Sequence, residues 1–559
     1  MSKRWNVLNK SKVKSEKLKV NDILAILLEN RGFKTQKDID AFLHPHLEVV
    51  TPKTVGIDAK QLSKALKRIQ KAMDKKEQIV IFGDYDVDGI TGCAILWETL
   101  HDLKANVMPY IPHRKEEGYG LSIKGIENVM EKMPETKLII TVDNGIVANE
   151  AVAFANEKGI DVIVTDHHTV GDKLPDAHAI VHTTNLCGAG VAYVLAKEWR
   201  MKNGEWRDND DVHLELAALG TVADLVPLIG PNRAIVFAGL KKLQTTTRPG
   251  LIALYQQTGI KHDAIGVYDI GYIIGPRLNA AGRILSAMDS LRLLCTPNLR
   301  RASELAVKLE STNKARQQLL KEAAQHAIAN VTDKKSSAIN ILMVGHASYE
   351  EGVIGLVAGK LVEAFYRPSI VMAIGETQSK GSARSISGFN IIEFLRTQGN
   401  HFVNVGGHPM AAGFTIETAK IDMVRQLLEE TAMELLTEEL VTRMIKIDCE
   451  LSLDLLNEEL YQQIQQLAPF GMANAEPVFA SRGVTIENIR VLGKERNHLK
   501  LTLSQNDSQM FEAIAFGMGA LAAELKVGDK IAIAYVLDEN TWNGLTKLQL
   551  KVKDIKILE

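Results

Sequence analysis

Four cysteines in 559 residues, at Cys93, Cys187, Cys295 and Cys449, are too few and too scattered for a disulfide framework. No C-x-x-C pair and no cysteine–histidine cluster occurs, which excludes a structural zinc site. Aromatic residues make up only 5% of the chain while glycine and alanine are common, a balance that favours sheets flanked by helices over sandwiches. No run of about 18 apolar residues is present, so no membrane span is expected. Residues 1–19 are rich in lysine with no apolar stretch behind them, unlike a secretory signal or an anchor. An excess of one charge is missing too: 66 Lys and Arg stand against 68 Asp and Glu, a net charge of −2. A broad electrostatic grip on nucleic acid is therefore not announced, and any basic surface must be local. The expectation is a soluble protein of a reducing, cytoplasmic compartment.

What is present is apolar and periodic. With 46% hydrophobic residues, the chain exceeds what one core usually holds and suggests roughly three or four domains. Short apolar runs at Ile79–Phe82, Leu138–Val142 and Val162–Thr165 alternate with amphipathic stretches, the rhythm of βαβ units and a parallel sheet. Leucines and alanines near helical spacing from Ala302 to Asn330 predict a long connecting helix. A second α/β unit opens at Ile339–Val344 and closes near Leu436. Alternating segments such as His498–Leu503 and Lys547–Val552 then predict a small barrel or sandwich. The expected division is an N-terminal extension over 1–70, a parallel-sheet domain over 71–300, a connecting helix over 301–334, a smaller α/β domain over 335–440 and a β-barrel over 441–559.

The chemistry sits at predicted strand ends. Asp84, Asp86 and Asp88, in Gly83-Asp-Tyr-Asp-Val-Asp-Gly89, directly follow a buried strand, and three such close carboxylates repel one another unless cations hold them. An EF-hand loop is excluded because Ile95 stands where the bidentate glutamate belongs and a strand flanks the motif. A solvated acidic turn is the plain alternative. Against it, Asp143 follows the next strand in Val142-Asp-Asn-Gly145, and Asp166, His167 and His168 follow the one after. Groups past the carboxyl ends of parallel strands converge on one crevice. Asp224, at a turn in Leu219-Gly-Thr-Val-Ala-Asp-Leu-Val-Pro227, could complete the set. Oxygen-rich ligation with one or two histidines suits Mn²⁺ or Mg²⁺ better than zinc.

These four blocks, in this order, resemble the motifs of the DHH phosphoesterase superfamily. Further blocks are similar to those of the RecJ family and extend the resemblance over nearly the whole chain. They are Tyr110-Ile-Pro-His-Arg114 with Glu117-Gly-Tyr-Gly120, Leu186–Gly190, Gly275-Pro-Arg-Leu-Asn-Ala-Ala-Gly-Arg283, Glu351–Gly355, Gly381-Ser-Ala-Arg-Ser385 and Gly406-Gly-His408 through Gly413. The resemblance implies an α/β protein with a parallel-sheet DHH catalytic domain, a DHH-associated domain and a C-terminal OB-fold barrel. The implied activity is a 5′-to-3′ exonuclease specific for single-stranded DNA, releasing 5′ mononucleotides in repair and recombination.

The implied mechanism uses two Mn²⁺ or Mg²⁺ ions that activate a water and stabilise the attacking and leaving oxygens. Metal-ligand candidates are Asp84, Asp86, Asp88, Asp143, His167 and Asp224, with Asp143 as the bridge. Asp166 either ligates or orients its histidine neighbour, and His168 donates to the scissile phosphate. In the associated domain, Gly406 and Gly407 would open backbone N–H groups to a phosphate that His408 also binds. Arg114, Arg277, Arg283 and Arg384, with Asn279 in the same block as two of them, are phosphate-path candidates by their planar fork, although each alone also fits an ordinary ion pair. Arg114, Ser382 and Arg384 are expected to form the pocket that selects a 5′ end. Tyr119 would stack on a base, with core packing as its plain alternative. The barrel has few aromatics, which points to gripping a strand rather than to tight independent binding.

Competing readings are a phosphodiesterase of short oligonucleotides or cyclic dinucleotides, and a non-catalytic DNA-binding scaffold. A dinucleotide-binding oxidoreductase fails, because Gly188-Ala-Gly190 is followed by Tyr193 where the third glycine belongs. By analogy, a single-strand-binding protein and a RecQ-like helicase are expected helpers of a monomeric enzyme.

Overall fold

The computed structural model describes residues 3–9, 20–205, 212–284, 286–333, 340–506, 509–542 and 544–558. Most of the lysine-rich opening stretch, residues 10–19, lies outside the described residues. The chain divides into two units, one of residues 55–224 and 239–443, the other of residues 1–54, 225–238 and 444–559.

In the first unit, five parallel strands lie in the order Val107–Tyr110, Gln78–Gly83, Thr136–Val142, Asp161–Asp166, Ala179–His182. The three expected from apolar runs are the buried central ones. The edge strands are only four residues each and only partly buried, too short to register as runs. Gly83 pairs with Val142, and the Asp143 amide donates to the Thr165 carbonyl. This register brings the residues just past three strands to one edge of the sheet, the crevice expected of a parallel arrangement.

A 35-residue helix, Leu299–Asp333, follows. It leads to a second sheet in the order Phe402–His408, Ala411–Glu417, Gln378–Arg384, Ser369–Ala373, Leu342–His346. Only its last pair is parallel. The helix Glu351–Phe365 packs on it through Val357, Ala358 and Leu361.

In the second unit, strands Phe479–Leu492, His498–Ser504, Phe511–Ala515, Leu545–Ile557 and Lys530–Trp542 pair in succession, and the last pairs back to the first. That closed ring is the expected barrel, with Leu499, Leu501 and Leu503 on its inner face. The expected N-terminal extension over 1–70 is divided between the units at residue 54. Ile23 and Leu27, on the helix Val20–Asn30, are fully buried in the barrel's core cluster with Leu453 and Leu460. The helix Ala59–Asp74 instead joins the catalytic sheet, where Arg68 donates to the Lys137 carbonyl and pairs with Asp161. An amphipathic helix goes where its apolar stripe is covered, so this stretch of sequence is shared between the units. Residues 225–238 join the second unit through Arg233, which lies 3.9 Å over the Phe42 ring and donates to the carbonyls of Phe42, Ala468 and Pro469. No described helix is long and apolar enough to cross a membrane.

Candidate metal centre and phosphate site

Strand Gln78–Gly83 delivers Asp84 to the sheet edge, and Asp86 starts the next helix, Val87–Asp102. Asp86 is its N-cap, with Oδ1 accepting from the amides of Asp88 at 3.0 Å and Gly89 at 3.2 Å. Asp88 is buried, and its two oxygens accept from the Gly188 and Ala189 amides at 2.6 and 2.8 Å. Those amides open the helix Gly188–Lys202, so its positive end faces the carboxylate. Asp84 is 1% exposed, and neither of its carboxylate oxygens has a hydrogen-bond partner.

Asp143 has φ +63°, the left-handed region, which turns its side chain back over the sheet edge. Its Oδ1 is buried, unpartnered and 3.1 Å from His167 Nε2, itself without a hydrogen bond. His167 Nε2 also lies 3.7 Å from Asp88 Oδ2 and 3.6 Å from Asp224 Oδ2. Asp224 caps the C-terminus of the helix Leu214–Ala223. Three glycines permit these approaches. A Cβ on Gly89 would lie 2.6 Å from the Asp84 nitrogen, one on Gly188 2.5 Å from the Asp143 Cβ, and one on Gly220 2.7 Å from Asp88 Oδ1.

Two donor trios result: Asp84, Asp86 and Asp143, and Asp88, His167 and Asp224. Their protonation reports the strain of placing them together. Burial, then the charge of Asp86, pushes Asp84 well above the usual carboxylate range. Burial, then Asp88, Asp86, Asp84 and Asp224, does the same to Asp143. Burial with Asp88 and Asp86 raises Asp224 to about 9. Burial lowers His167 and keeps it neutral, the form that can bind a metal. Orphaned buried oxygens beside a neutral imidazole fit hard divalent cations such as Mn²⁺ or Mg²⁺.

Asp166 and His168 behave differently. A third trio, Asp143 with His167 and His168, is close enough to ligate on distance alone, but both ring nitrogens of His168 are engaged. Its Nδ1 is 2.7 Å from Asp166 Oδ1 and its Nε2 is 3.0 Å from the Tyr119 hydroxyl. Asp166 also accepts from the amides of Ile146, His167 and His168. Burial disfavours the Asp166 charge, but the His168 bond and charge outweigh it and hold the carboxyl below its usual range. Burial likewise opposes the His168 cation, and the Asp166 bond and charge outweigh it and raise the imidazole. The pair is a buried carboxylate fixing an imidazole through Nδ1, which suits Asp166 to orienting rather than ligating.

Tyr119 is 55% exposed, so core packing is overturned for it; its ring edge meets Tyr85 and His168. His408 stacks 6.1 Å from the His168 ring, and Gly407, at φ +144°, leaves the strand free to approach. Gly406 has open space where a side chain would be. Arg384 donates to the Ser382 hydroxyl at 3.1 Å, and both crowd against Gly355, where a Cβ would lie 2.7 Å from Arg384 Nη2. Arg114 sits over the Tyr85 ring. Arg114 acts electrostatically on Arg384, and burial with Arg114, Arg316 and Arg384 lowers Arg283 to about 10.

Two phosphate-path candidates are otherwise employed. Arg277 pairs with Glu310 at 2.6 Å and donates to the Ile273 carbonyl, the ordinary ion pair. The Asn279 oxygen accepts from the Val87 amide at 2.9 Å, tying its helix to the aspartate loop. Sequence reasoning missed the three packing glycines, whose signal was their position beside each acidic block.

A parallel sheet whose strand ends gather carboxylates and a histidine, followed by a smaller sheet bearing Gly-Gly-His, defines the DHH class of fold. The family model described as "DHH family, N-terminal domain" matches residues 78–221, "DHHA1 domain" matches 335–434 and "RecJ OB domain" matches 447–554. The chain is 37% identical to the single-stranded-DNA-specific exonuclease RecJ of Bacillus subtilis over 100% of its own length and 71% of that protein. The corresponding values for RecJ of Thermus thermophilus are 33%, 99% and 78%. The crystal structure of Thermus thermophilus RecJ in complex with Mn²⁺ superposes with a TM-score of 0.83 at 29% identity, covering 100% of this chain and 80% of that one. The chain belongs to the RecJ family.

Two outcomes follow from the crowding. Gly188→Ala should keep the fold yet weaken Mn²⁺ binding at least tenfold by calorimetry, because the new methyl must displace Asp143. Carboxyls raised on folding contribute stability that is whole below their unfolded range and is lost as pH rises towards the folded values. The metal-free protein should therefore lose stability between about pH 4 and about 9, the raised value of Asp224. Mn²⁺ should flatten that slope and release protons on binding, read from denaturation midpoints and from calorimetry in buffers of different ionisation enthalpy.

Proposed function

We propose that this protein hydrolyses single-stranded DNA from its 5′ end, one nucleotide at a time, using two Mn²⁺ or Mg²⁺ ions. The observation that carries the reading is the pair of donor trios meeting at Asp143 and His167, with buried oxygens that no protein group satisfies. Full-length relatives named single-stranded-DNA-specific exonucleases support the enzyme class and substrate, and RecJ structures in complex with Mn²⁺ and with Mg²⁺ support the cofactor.

Asp84, Asp86 and Asp143 would hold one ion, and Asp88, His167 and Asp224 the other. Such a pair supplies charge neutralisation at the attacking and leaving oxygens and lowers the pKa of the attacking water. The chain's own groups do the rest. His168, oriented by Asp166 through Nδ1, exchanges the Tyr119 hydroxyl for the scissile phosphate at Nε2 and donates to it where charge develops. His408 and the Gly406-Gly407 backbone face the same phosphate from the associated domain. Tyr119 offers an exposed ring to the terminal base. Arg114, Ser382 and Arg384 bind the terminal 5′ phosphate, and a continuing strand cannot enter their pocket.

The barrel adds a weak grip on the strand, consistent with its few aromatics. A monomer working in the cytoplasm beside a single-strand-binding protein and a RecQ-like helicase completes the reading. The four cysteines are free, as a reducing compartment would have them. Nothing in the site favours a cyclic-dinucleotide phosphodiesterase or a non-catalytic scaffold.

With Mn²⁺ and matched single-stranded and duplex DNA labelled at either end, wild type should release a 5′-labelled mononucleotide at once from single strands only. Asp143→Ala should lose at least a thousandfold in rate, and cleavage confined to di- to tetranucleotides would refute the reading. The triple alanine variant of Arg114, Ser382 and Arg384 should keep hydrolysis but lose its preference for 5′-phosphorylated over 5′-hydroxyl strands; an unchanged preference would reassign the pocket.

A further inference from the structure

The connecting helix Leu299–Asp333 carries a buried cation, Arg316, that makes no ion pair among the described residues. Arg316 is 8% exposed, and its Nε and Nη2 both donate to Asn313 Oδ1, at 3.2 and 2.8 Å. Asn313 is itself 1% exposed, and its Nδ2 has no hydrogen-bond partner. A neutral amide oxygen is a poor counterpart for a guanidinium withdrawn from water. The acid six residues earlier on the same helix, Glu310, is already engaged by Arg277 and Lys314. The charged groups that act on Arg316 and its neighbour are mostly cations: Arg277 on Arg316, and Arg114, Arg316 and Arg384 on Arg283. A cluster of this sign, half-buried or buried and supplied by three helices and a strand, is suited to a polyanion.

Arg283 and Arg384 link this cluster to the rest of the site. Arg283 donates to the Gly352 carbonyl at 3.1 Å, in the first turn of the helix Glu351–Phe365. Gly355, one turn on, is the residue against which Arg384 and Ser382 pack. Arg283 senses the charge of both Arg384 and Arg316, so it is close to each. Asn313 spends its oxygen on orienting Arg316, and Nη1 makes no hydrogen bond among the described residues.

We propose that Arg316, positioned by Asn313 and acting beside Arg283, binds an internucleotide phosphate of the DNA strand, so that the connecting helix is a wall of the substrate track. This rests on reading the site as a nuclease acting on a strand. Arg316 is a binding residue and Asn313 a positioning residue; neither takes part in bond breaking.

The test uses full-length protein and a series of 5′-phosphorylated octanucleotides, each with one neutral methylphosphonate at a successive internucleotide position. Wild type should show one position where neutralisation raises KM roughly tenfold or more, the strength of a charge-assisted contact. Arg316→Met should raise KM for the unmodified strand by a similar factor with kcat within about twofold, and should be indifferent to the methylphosphonate at that position. Arg316→Lys should restore part of the sensitivity. Asn313→Asp, which gives the guanidinium a carboxylate partner, should mimic Arg316→Met while preserving the fold. If every position keeps its full penalty in Arg316→Met, or if that variant changes only stability or kcat, the inference is overturned. Should wild type hydrolyse none of the strands, the nuclease reading fails instead, and the same comparison made by fluorescence anisotropy in Mn²⁺ still decides whether Arg316 contacts a phosphate.

Discussion

Everything in the catalytic unit is arranged around carboxylates that repel one another. Asp84, Asp88, Asp143 and Asp166 are each almost wholly buried within a few ångströms of strand ends. In isolation such a cluster would protonate or push apart. Here it is held by backbone rather than by side chains. The helix that begins at Gly188 presents two amides to Asp88, the helix that begins at Val87 presents two to Asp86, and the left-handed turn at Asp143 fixes the third group. Helix N-termini are among the few positive groups a protein can bury without adding a titratable cation. They lower the cost of the cluster without neutralising it, which leaves Asp84 and Asp143 with unsatisfied oxygens for a metal.

Adjacent histidines in one motif acquire opposite characters from the same crowd. His167 turns into the carboxylates, is stripped of water and stays neutral, available as a donor of a lone pair. His168 turns to Asp166, whose charge is already secured by three amides, gains affinity for a proton and is directed at Tyr119 and His408. The difference lies in the order of second contacts. Asp166 is satisfied before it meets an ion, whereas Asp143 is not. One carboxylate thus stays available for a metal, and the other spends its capacity on an imidazole.

The sequence made much of this legible, for a definite reason. Buried parallel strands are continuous apolar runs, and an acidic residue directly after such a run has nowhere to go but the sheet edge; hence the central strands and the positions of Asp84, Asp143 and Asp166 could be read in advance. Short edge strands such as Val107–Tyr110 carry no run and were invisible. The affiliation of the N-terminal helices was equally hidden, because an amphipathic stripe says that a helix is covered but not by what. Among the arginines, Arg277 shows the same limit. Its loop context suggested a phosphate, and a glutamate 33 positions along the chain claimed it instead. Contact glycines such as Gly188 and Gly220 were quoted within motifs, yet their reason, a missing Cβ beside a carboxylate, exists only in three dimensions.

The near-zero net charge looked uninformative, and the structure explains why. A chain that must hold two divalent cations and a polyanionic strand needs concentrated charge of both signs. It concentrates acid at the strand ends of one sheet and arginine on the short helix Arg114–Glu117, the helix Gly275–Ile284, the connecting helix and the strand Gln378–Arg384. These sum to almost nothing over 559 residues. Their separation matters more than their total, because a field that reverses over a short distance suits phosphate at one end and a cation at the other. Charge counted over a whole chain measures solubility; charge resolved onto the faces of a fold measures what the fold can hold.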